Sequence, residues 1–229
     1  MEYAAAYRVQ CDHVDEVLAA RQAGLPEPGR ILTVEHDPVI TISSRASAAK
    51  HLLATPQTLV EAGVAVASTD RGGDITYHGP GQLVVYPILD LNLLNLGLHD
   101  YMRLLEAAVI DACARFGIAA WRDPKATGVW VGTPGAKICA MGVRVRRWVS
   151  MHGLALNVSP DMAHFGLIVP CGLSGRAVTS LRREMPGSAC PSMDQAKEVI
   201  VRALSQRVES ALGDARTARG ITARASVPS

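Results

Sequence analysis

Several features that define large classes of protein are scarce or missing in this sequence. None of its apolar runs approaches the ~20 residues needed to cross a bilayer, and the N-terminus lacks the basic and apolar regions of a signal peptide. The net charge over 229 residues is only +2, which is too small to predict non-specific binding to nucleic acid. These absences predict a soluble, cytoplasmic protein that binds neither membrane nor nucleic acid.

Cysteine usage and loop motifs exclude further classes. The five cysteines are odd in number and none belongs to a CxxC pair, so neither a disulfide framework nor a zinc site is predicted. No grouping of histidine, cysteine and carboxylate has the spacing of a metal site. A Walker-type GxxxxGK[ST] loop is also missing. We therefore expect no metal and no cofactor.

A glycine-rich stretch from Arg71 to Pro87, RGGDITYHGPGQLVVYP, carries the densest polar chemistry of the chain. Its glycines flank a short alternating segment, and glycine lets a backbone approach a ligand closely. Four polar side chains lie beside these glycines, which is more than a turn needs; they are Arg71, Asp74, Thr76 and His78. The pattern predicts a loop, a strand and a second loop against a ligand. A tight hairpin with ordinary turn glycines fits the spacing equally well.

Cys171 is the candidate nucleophile. In the run from Ile168 to Gly172 an apolar strand is followed by proline, the cysteine and glycine, so the regular backbone ends and a sharp turn can expose the thiol. The alternative is a buried, inert cysteine, the commoner fate of a free thiol. A nucleophilic thiol needs a base or a nearby cation, and Lys137, at the start of an apolar strand, is the candidate. The alternative for Lys137 is an ammonium that reaches water at the mouth of the strand.

Two histidines and a second cysteine need a separate interpretation. A cysteine–histidine pair is a usual catalytic arrangement, and either His78 or His152 could supply it. Each could instead form hydrogen bonds with the neighbouring glycine loops. Cys139 lies two residues from Lys137, so both side chains project to one face of the strand. We interpret Cys139 as a small core residue.

The pattern of apolar residues predicts a single α+β domain with a mixed or antiparallel β-sheet flanked by helices. Strict alternation of strands and helices is missing, which speaks against a doubly wound fold. The domain is expected over residues 1–214, followed by a mobile tail over residues 215–229 that contains no acidic residue. The predicted elements are a strand at 3–10, a helix at 11–24, a hairpin at 30–42, a strand at 62–68, a helix at 100–117, a strand at 129–131, a hairpin at 137–158 and a helix from Ser192 to about Leu212.

Five sequence blocks resemble those of the lipoyl(octanoyl) transferases and follow one another in the same order. These transferases share a fold family with the biotin and lipoate protein ligases. Any one block alone is a weak signal, and together they cover most of residues 30–182. Besides RGGDITYHGPGQLVVYP, the blocks are Ala136 to Ile138, Gly142 to Val145, His152 to Asn157, and Pro170 to Gly172 with Val178 to Leu181.

The resemblance implies an acyltransferase of protein lipoylation with the catalytic-domain fold of the biotin and lipoate protein ligases. The donor would be octanoyl-acyl carrier protein. The acceptor would be a lysine of the lipoyl domains of 2-oxoacid dehydrogenase complexes or of the glycine cleavage H protein. Cys171 matches the family's acyl-thioester nucleophile and Lys137 its partner lysine. The implied substrate-binding residues are Arg71, Gly72, Gly73, Asp74, Ile75, Thr76, Tyr77, His78, Ala140, Met141, Gly142, Gly153, Leu154 and Ala155, with His152 in the pocket wall.

Two rival functions remain open at this point. An ATP-dependent lipoate or biotin protein ligase would activate the acid as an adenylate and would need no nucleophilic cysteine. A non-catalytic module could instead bind an acyl group, or bind RNA through the RGG loop.

Arg144 and Arg146 would project to one face of a strand. We expect this pair to steer an acidic carrier protein.

Overall fold

The computed structural model describes residues 1–169, 176–185 and 190–219. Two short 3-10 helices accompany the main elements, at Ala48–His51 and Met162–Leu167. The main elements are α1 (Tyr3–Gln22), β1 (Gly29–Val34), β2 (Val39–Ser43), α2 (Pro56–Glu61), β3 (Ala65–Thr69), β4 (Ile75–His78), β5 (Gln82–Leu89), α3 (Leu98–Arg115), β6 (Ala120–Asp123), β7 (Ala126–Val131), β8 (Ala136–Arg146), β9 (Val149–Asn157), α4 (Leu181–Glu184) and α5 (Met193–Ala218).

The strands form two sheets. The large sheet is antiparallel, with strand order β1-β5-β9-β8-β7-β6. The small sheet has the order β3-β2-β4, in which β2 runs parallel to β3 and antiparallel to β4. With helices packed on these sheets, the architecture is α+β, as predicted.

Both faces of the large sheet are covered by helices. Along β5, Leu83, Val85 and Leu89 belong to the core beneath α3 and α5, whereas Val84 and Tyr86 belong to the core beneath α1. Successive side chains of a strand point to opposite faces. This explains why β5 is apolar nearly throughout instead of alternating, because each of its faces is buried.

The small sheet has a core of its own. Ile40, Ile75 and Tyr77 pack there with Leu59 and Phe165. The alternation within β4 that the sequence indicated is confirmed, since Ile75 and Tyr77 face this core. Thr76 and His78, which alternate with them along β4, therefore point to the opposite face, toward the large sheet.

Two predictions near the N-terminus were wrong. The strand expected over residues 3–10 is the first part of α1, a single helix that continues to Gln22. The hairpin expected over residues 30–42 does not form, because β1 pairs with β5 in the large sheet and β2 pairs with β3 and β4 in the small one.

Other predictions were confirmed. The β8–β9 hairpin forms, and α3 is followed by Gly117 at φ +74°, a conformation that favours glycine at a helix end. Ser192 caps α5 through a reciprocal capping box with Gln195. The end expected for this helix near Leu212 was wrong, since α5 continues to Ala218 and Ala215 is buried. None of the helices in the described part of the chain is long and apolar enough to span a membrane.

Candidate active site

A cavity lies between the small sheet and the face of the large sheet that carries α1. Its empty volume, with the solvent at its open mouth included, is about 460 Å³. Most of the residues predicted from the sequence stand on its walls. These are Arg71, Gly73, Asp74, Thr76, His78, Ala140, Met141, Gly142, His152, Gly153, Leu154 and Ala155.

Three of the predicted substrate-binding residues stand elsewhere, and three wall residues were missed. Ile75 and Tyr77 are in the core of the small sheet, and Gly72 lines a neighbouring cavity. The missed wall residues are Tyr3, Val84 and Tyr86. Val84 and Tyr86 lie in the apolar strand that continues the glycine-rich stretch, so the signal was present. Nothing in the pattern around Tyr3 connects it with that stretch.

The floor of the cavity is built from main chain at a cross-strand pair, Gly142 and Gly153. A Cβ atom on Gly142 would lie 2.5 Å from the carbonyl oxygen of Gly72, and one on Gly153 would lie 2.2 Å from that of Val85. Both distances are far below van der Waals contact. Glycine is therefore required at these positions by the packing of backbone on backbone, in addition to any closeness to a ligand.

The loop over the cavity is fixed by Arg71 and Gly72. The Gly72 N–H donates to the Val143 carbonyl at 2.8 Å, which joins the loop to β8. The Arg71 guanidinium donates to the Thr41 hydroxyl at 2.9 Å and to the Thr41 carbonyl at 3.2 Å, which joins the loop to β2. Arg71 therefore braces the inside of the protein, which is not how an RGG segment contacts RNA.

Asp70, which the sequence analysis did not select, joins three elements beside the cavity. Its carboxylate accepts hydrogen bonds from the Tyr7 hydroxyl at 2.6 Å and from His152 Nε2 at 2.7 Å, and it forms an ion pair with Arg144. Burial acts to raise the pKa of Asp70. The bonds from Tyr7 and His152 and the nearby charges outweigh it, so the pKa lies below its usual range. The hydrogen bond between Tyr7 and Asp70 raises the pKa of Tyr7 to about 12.

Neutral histidines lie in the wall near α1, where His78 and His152 line the cavity and His36 lies beside His78. Burial, followed by the proximity of His36, lowers the pKa of His78 to about 3, and His78 Nδ1 donates to Gln82 Oε1 at 2.7 Å. Burial also lowers the pKa of His36, which shares a 2.7 Å hydrogen bond with the Tyr86 hydroxyl. His152 has a lowered pKa as well, again chiefly through burial, even though it contacts Asp70. Burial therefore holds all three rings in the neutral form.

Lys137 is buried, with 6% of its surface exposed. Its Nζ lies 4.8 Å from the centre of the Trp130 ring, a cation–π distance for an ammonium. It lines a second cavity that shares Gly73, Asp74, Met141 and Gly142 with the first. The alternative of a lysine head in open water is therefore wrong, and Lys137 lines the cavity that adjoins the first one.

The backbone of Lys137 is attached to the segment that follows the candidate nucleophile in sequence. Its N–H donates to the Ala177 carbonyl and its carbonyl accepts from the Thr179 N–H, both at 2.9 Å. On the other side of Cys171 in sequence, the Val169 N–H donates to the His51 carbonyl at 2.8 Å. Cys171 itself lies outside the described residues.

Cys139 is the small core residue that the sequence indicated. It is fully buried in the core beneath α3 and α5, and this burial raises its pKa well above the usual range for a thiol. A thiol held in the protonated form is a poor nucleophile. The described residues contain no cluster of histidine, cysteine and carboxylate that could hold a metal ion.

The two arginines expected to steer a carrier protein are engaged within the chain. Arg144 forms the ion pair with Asp70, and Arg146 pairs with Asp15 of α1 at 3.0 Å. Arg144 is therefore part of the network around the cavity. A role for Arg144 and Arg146 in steering a partner stays a prediction.

Solved structures with this fold include lipoate protein ligases. A bipartite lipoate protein ligase from Thermoplasma acidophilum superposes with a TM-score of 0.65 at 16% identity, covering 95% of this chain and 94% of that one. Lipoate-protein ligase A bound with ATP superposes with a TM-score of 0.64 at 16% identity, covering 88% and 87%. These likenesses define the fold as that of a lipoate protein ligase. The chain belongs to the lipoyl protein ligase A/B catalytic domain family, whose model matches residues 7–205.

Within that family the chain is similar to octanoyltransferases. The octanoyltransferase of Bacteroides thetaiotaomicron is 45% identical, with 92% of this chain and 89% of that protein covered. The octanoyltransferase of Gloeobacter violaceus is also 45% identical, with 83% and 81% covered. That of Solibacter usitatus is 48% identical, with 79% and 78% covered.

Proposed function

We propose that the protein transfers an octanoyl group from octanoyl-acyl carrier protein to a lysine amine of a lipoyl domain, through a thioester on Cys171. The observation that carries this proposal is the burial of Lys137 in the wall of a second cavity, which shares four residues with the one between the sheets. A buried amine beside an apolar cavity is suited to thiol activation. The similarity to octanoyltransferases supports the same reaction.

The chemistry consists of two acyl exchanges. In the first, the Cys171 thiol loses its proton to the Lys137 amine and its sulfur attacks the thioester carbonyl carbon. The bond to the carrier's sulfur breaks, and the carrier leaves as a thiol after taking the proton from Lys137. In the second, the acceptor lysine amine attacks the new thioester, the Cys171 sulfur departs, and Lys137 conveys the amine's proton to it.

The cavity suits the acyl chain of such a substrate. Val84, Ala140, Met141, Leu154 and Ala155 give it apolar walls. Burying one methylene contributes ~0.8 kcal/mol, so about seven buried carbons contribute on the order of 5 kcal/mol before the costs of binding. This energy holds the acyl chain while its carbonyl end is presented toward Lys137.

The reaction as proposed needs no ATP, because thioester exchange is close to isoenergetic and amide formation is downhill. The rival function is that of an ATP-dependent lipoate or biotin protein ligase. The fold is compatible with it, since a lipoate-protein ligase bound with ATP is among the similar structures. The two functions differ in whether an acyl group becomes attached to the enzyme without ATP.

Intact-protein mass spectrometry separates these functions. The protein is mixed with octanoyl-acyl carrier protein without ATP, and we expect the mass of one octanoyl group to be added to Cys171. Adding a lipoyl domain should then remove the adduct and acylate the domain. Cys171→Ala should abolish both steps, because the attacking sulfur is gone.

Cys139→Ala is the matched control, since it removes a thiol two residues from Lys137 that lies in the core. We expect this variant to form the adduct normally. Acylation of the domain only with free octanoate and ATP, and with no enzyme adduct, would establish the ligase instead. Turnover by Cys171→Ala would contradict the proposed nucleophile.

A further inference from the structure

Tyr3 separates the cavity between the sheets from a groove on the outside of the protein. It is the described residue that lines both spaces. The groove runs between α1 and the edge strand β3, along Ala4, Tyr7 and Ala67, and has an empty volume of about 770 Å³ open to solvent. Only 7% of the surface of Tyr3 is exposed, so its ring fills the partition.

The ring of Tyr3 is held from several sides. Its hydroxyl donates to the Thr69 hydroxyl at 2.7 Å, which fixes the end of the side chain on β3. Its face lies nearly parallel to the His78 ring, with centroids 6.4 Å apart, and His36 is 5.5 Å away. A side chain attached at its tip and stacked along its ring is a rigid wall.

This wall stands away from the reacting end of the cavity. Lys137 lines the second cavity, and Tyr3 does not. The walls advance along β4 from Asp74, which the two cavities share, through Thr76 to His78, whose ring faces Tyr3, and each residue of a strand advances about 3.3 Å. An acyl chain whose carbonyl lies near Lys137 therefore extends away from it, toward the part of the cavity that Tyr3 encloses.

We propose that Tyr3 is the residue that limits the length of the acyl chain this protein accepts, by blocking the passage from the cavity to the groove between α1 and β3. The inference rests on the proposed function, in which the cavity holds a straight acyl chain. Removing the ring joins the two spaces. The terminal carbons of a longer chain can then pass into the groove.

The test measures which chain lengths bind and react. Wild-type protein and Tyr3→Ala are titrated calorimetrically with straight-chain acids from hexanoic to hexadecanoic acid. The same variants are then incubated with acyl carrier protein bearing each of these chains, and the acyl adduct is followed by mass spectrometry. We expect Tyr3→Ala to raise the preference for dodecanoyl over octanoyl by roughly tenfold or more, since a pocket can discriminate a single methylene on that scale.

Three further variants distinguish a wall from a structural support. Tyr3→Phe loses the bond to Thr69 but keeps the ring, so it should retain the wild-type length preference. Tyr3→Leu gives a smaller opening and should shift the preference in the same direction as Tyr3→Ala, which keeps the test valid if the alanine variant does not fold. Adding Ala67→Leu to Tyr3→Ala fills the groove and should restore a shorter limit.

An unchanged preference in both folded variants, Tyr3→Ala and Tyr3→Leu, would overturn the inference. So would the same shift in Tyr3→Phe, because the ring would then not be the wall. Failure of the proposed function is a separate result. In that case wild-type protein forms no acyl adduct at any chain length, while the fatty-acid titrations still report whether Tyr3 limits the cavity.

Discussion

Lys137 joins a long amine-bearing side chain to near-complete burial, a combination that is rare unless the amine is paired or used. It lies against the Trp130 ring and lines the cavity that adjoins the one between the sheets. Two chemical roles fit such a place. A neutral amine can take the proton of a thiol, whereas an ammonium can only stabilise the thiolate by its charge.

Lys137→Arg separates these roles, because arginine keeps the charge but cannot act as a base in proteins. We expect Lys137→Arg to lose as much acyl transfer as Lys137→Met, on the order of 10²-fold or more, the scale of general-base catalysis. Initial rates with octanoyl-acyl carrier protein measure this loss, and circular dichroism checks the fold. Near-normal rates for Lys137→Arg would show that the charge alone suffices.

Single residues were predictable from the sequence where a local pattern marked them. Lys137 stands out as a charged residue before an apolar run, and Cys139 follows from strand alternation. Tyr3 and Asp70 were missed because their importance comes from contacts across the fold. Tyr3 is 66 residues from its partner Thr69, and Asp70 is 82 residues from His152. Local periodicity contains no information about such pairs.

Among the elements, the helices at the two ends show where periodicity fails. The buried positions of α1 include Ala6 and Gln10, which do not mark an apolar face in the sequence, so its first half was mistaken for a strand. Likewise Ala215, in the last turns of α5, is buried although its side chain is small. The β1–β2 connection was mistaken for a hairpin because turn residues do not reveal that the chain changes sheets there.

The start of α5 gives a prediction about stability. The Ser192 hydroxyl accepts a hydrogen bond from the Gln195 N–H at 3.2 Å, and the Gln195 side chain accepts one from the Ser192 N–H at 2.8 Å. Ser192→Ala removes the first bond and should lower the free energy of unfolding by about 1 kcal/mol, measured by urea denaturation. Ser210→Ala, an exposed change inside the same helix, is the control and should not destabilise. Equal stability of Ser192→Ala and wild type would contradict a role for the cap.

For the whole molecule, the buried histidines couple stability to pH. Burial lowers the pKa values of His36, His78 and His152 in the folded state, and that of His78 to about 3. An unfolded histidine titrates near pH 6.5, so below that pH the unfolded chain binds more protons than the folded one. The contribution of these histidines to the free energy of unfolding is therefore fully present above about pH 6.5, and it is lost as the pH decreases through that value.

Urea unfolding at about pH 7.5 and about pH 5.5 tests this coupling. His78 alone should contribute a loss of about 1.4 kcal/mol one pH unit below its unfolded pKa. His78→Gln should show a correspondingly smaller loss between the two pH values. His99→Gln, whose side chain is 77% exposed, should keep the wild-type loss. Identical losses for His78→Gln and wild type would mean that His78 is not held neutral.

The backbone floor at Gly142 and Gly153 has a consequence for how the acyl specificity of this protein can change over generations of mutation. A Cβ atom at either position would collide with a main-chain oxygen, so substitutions there disrupt the packing of strand on loop. Variation that alters the ligand while preserving the fold is thereby directed to the positions around the floor, such as Tyr3, Thr76 and Val84. The two glycines of the floor therefore tolerate little substitution, whereas the side chains around the floor can change. We expect descendants of this chain to diversify in acyl specificity through those side chains.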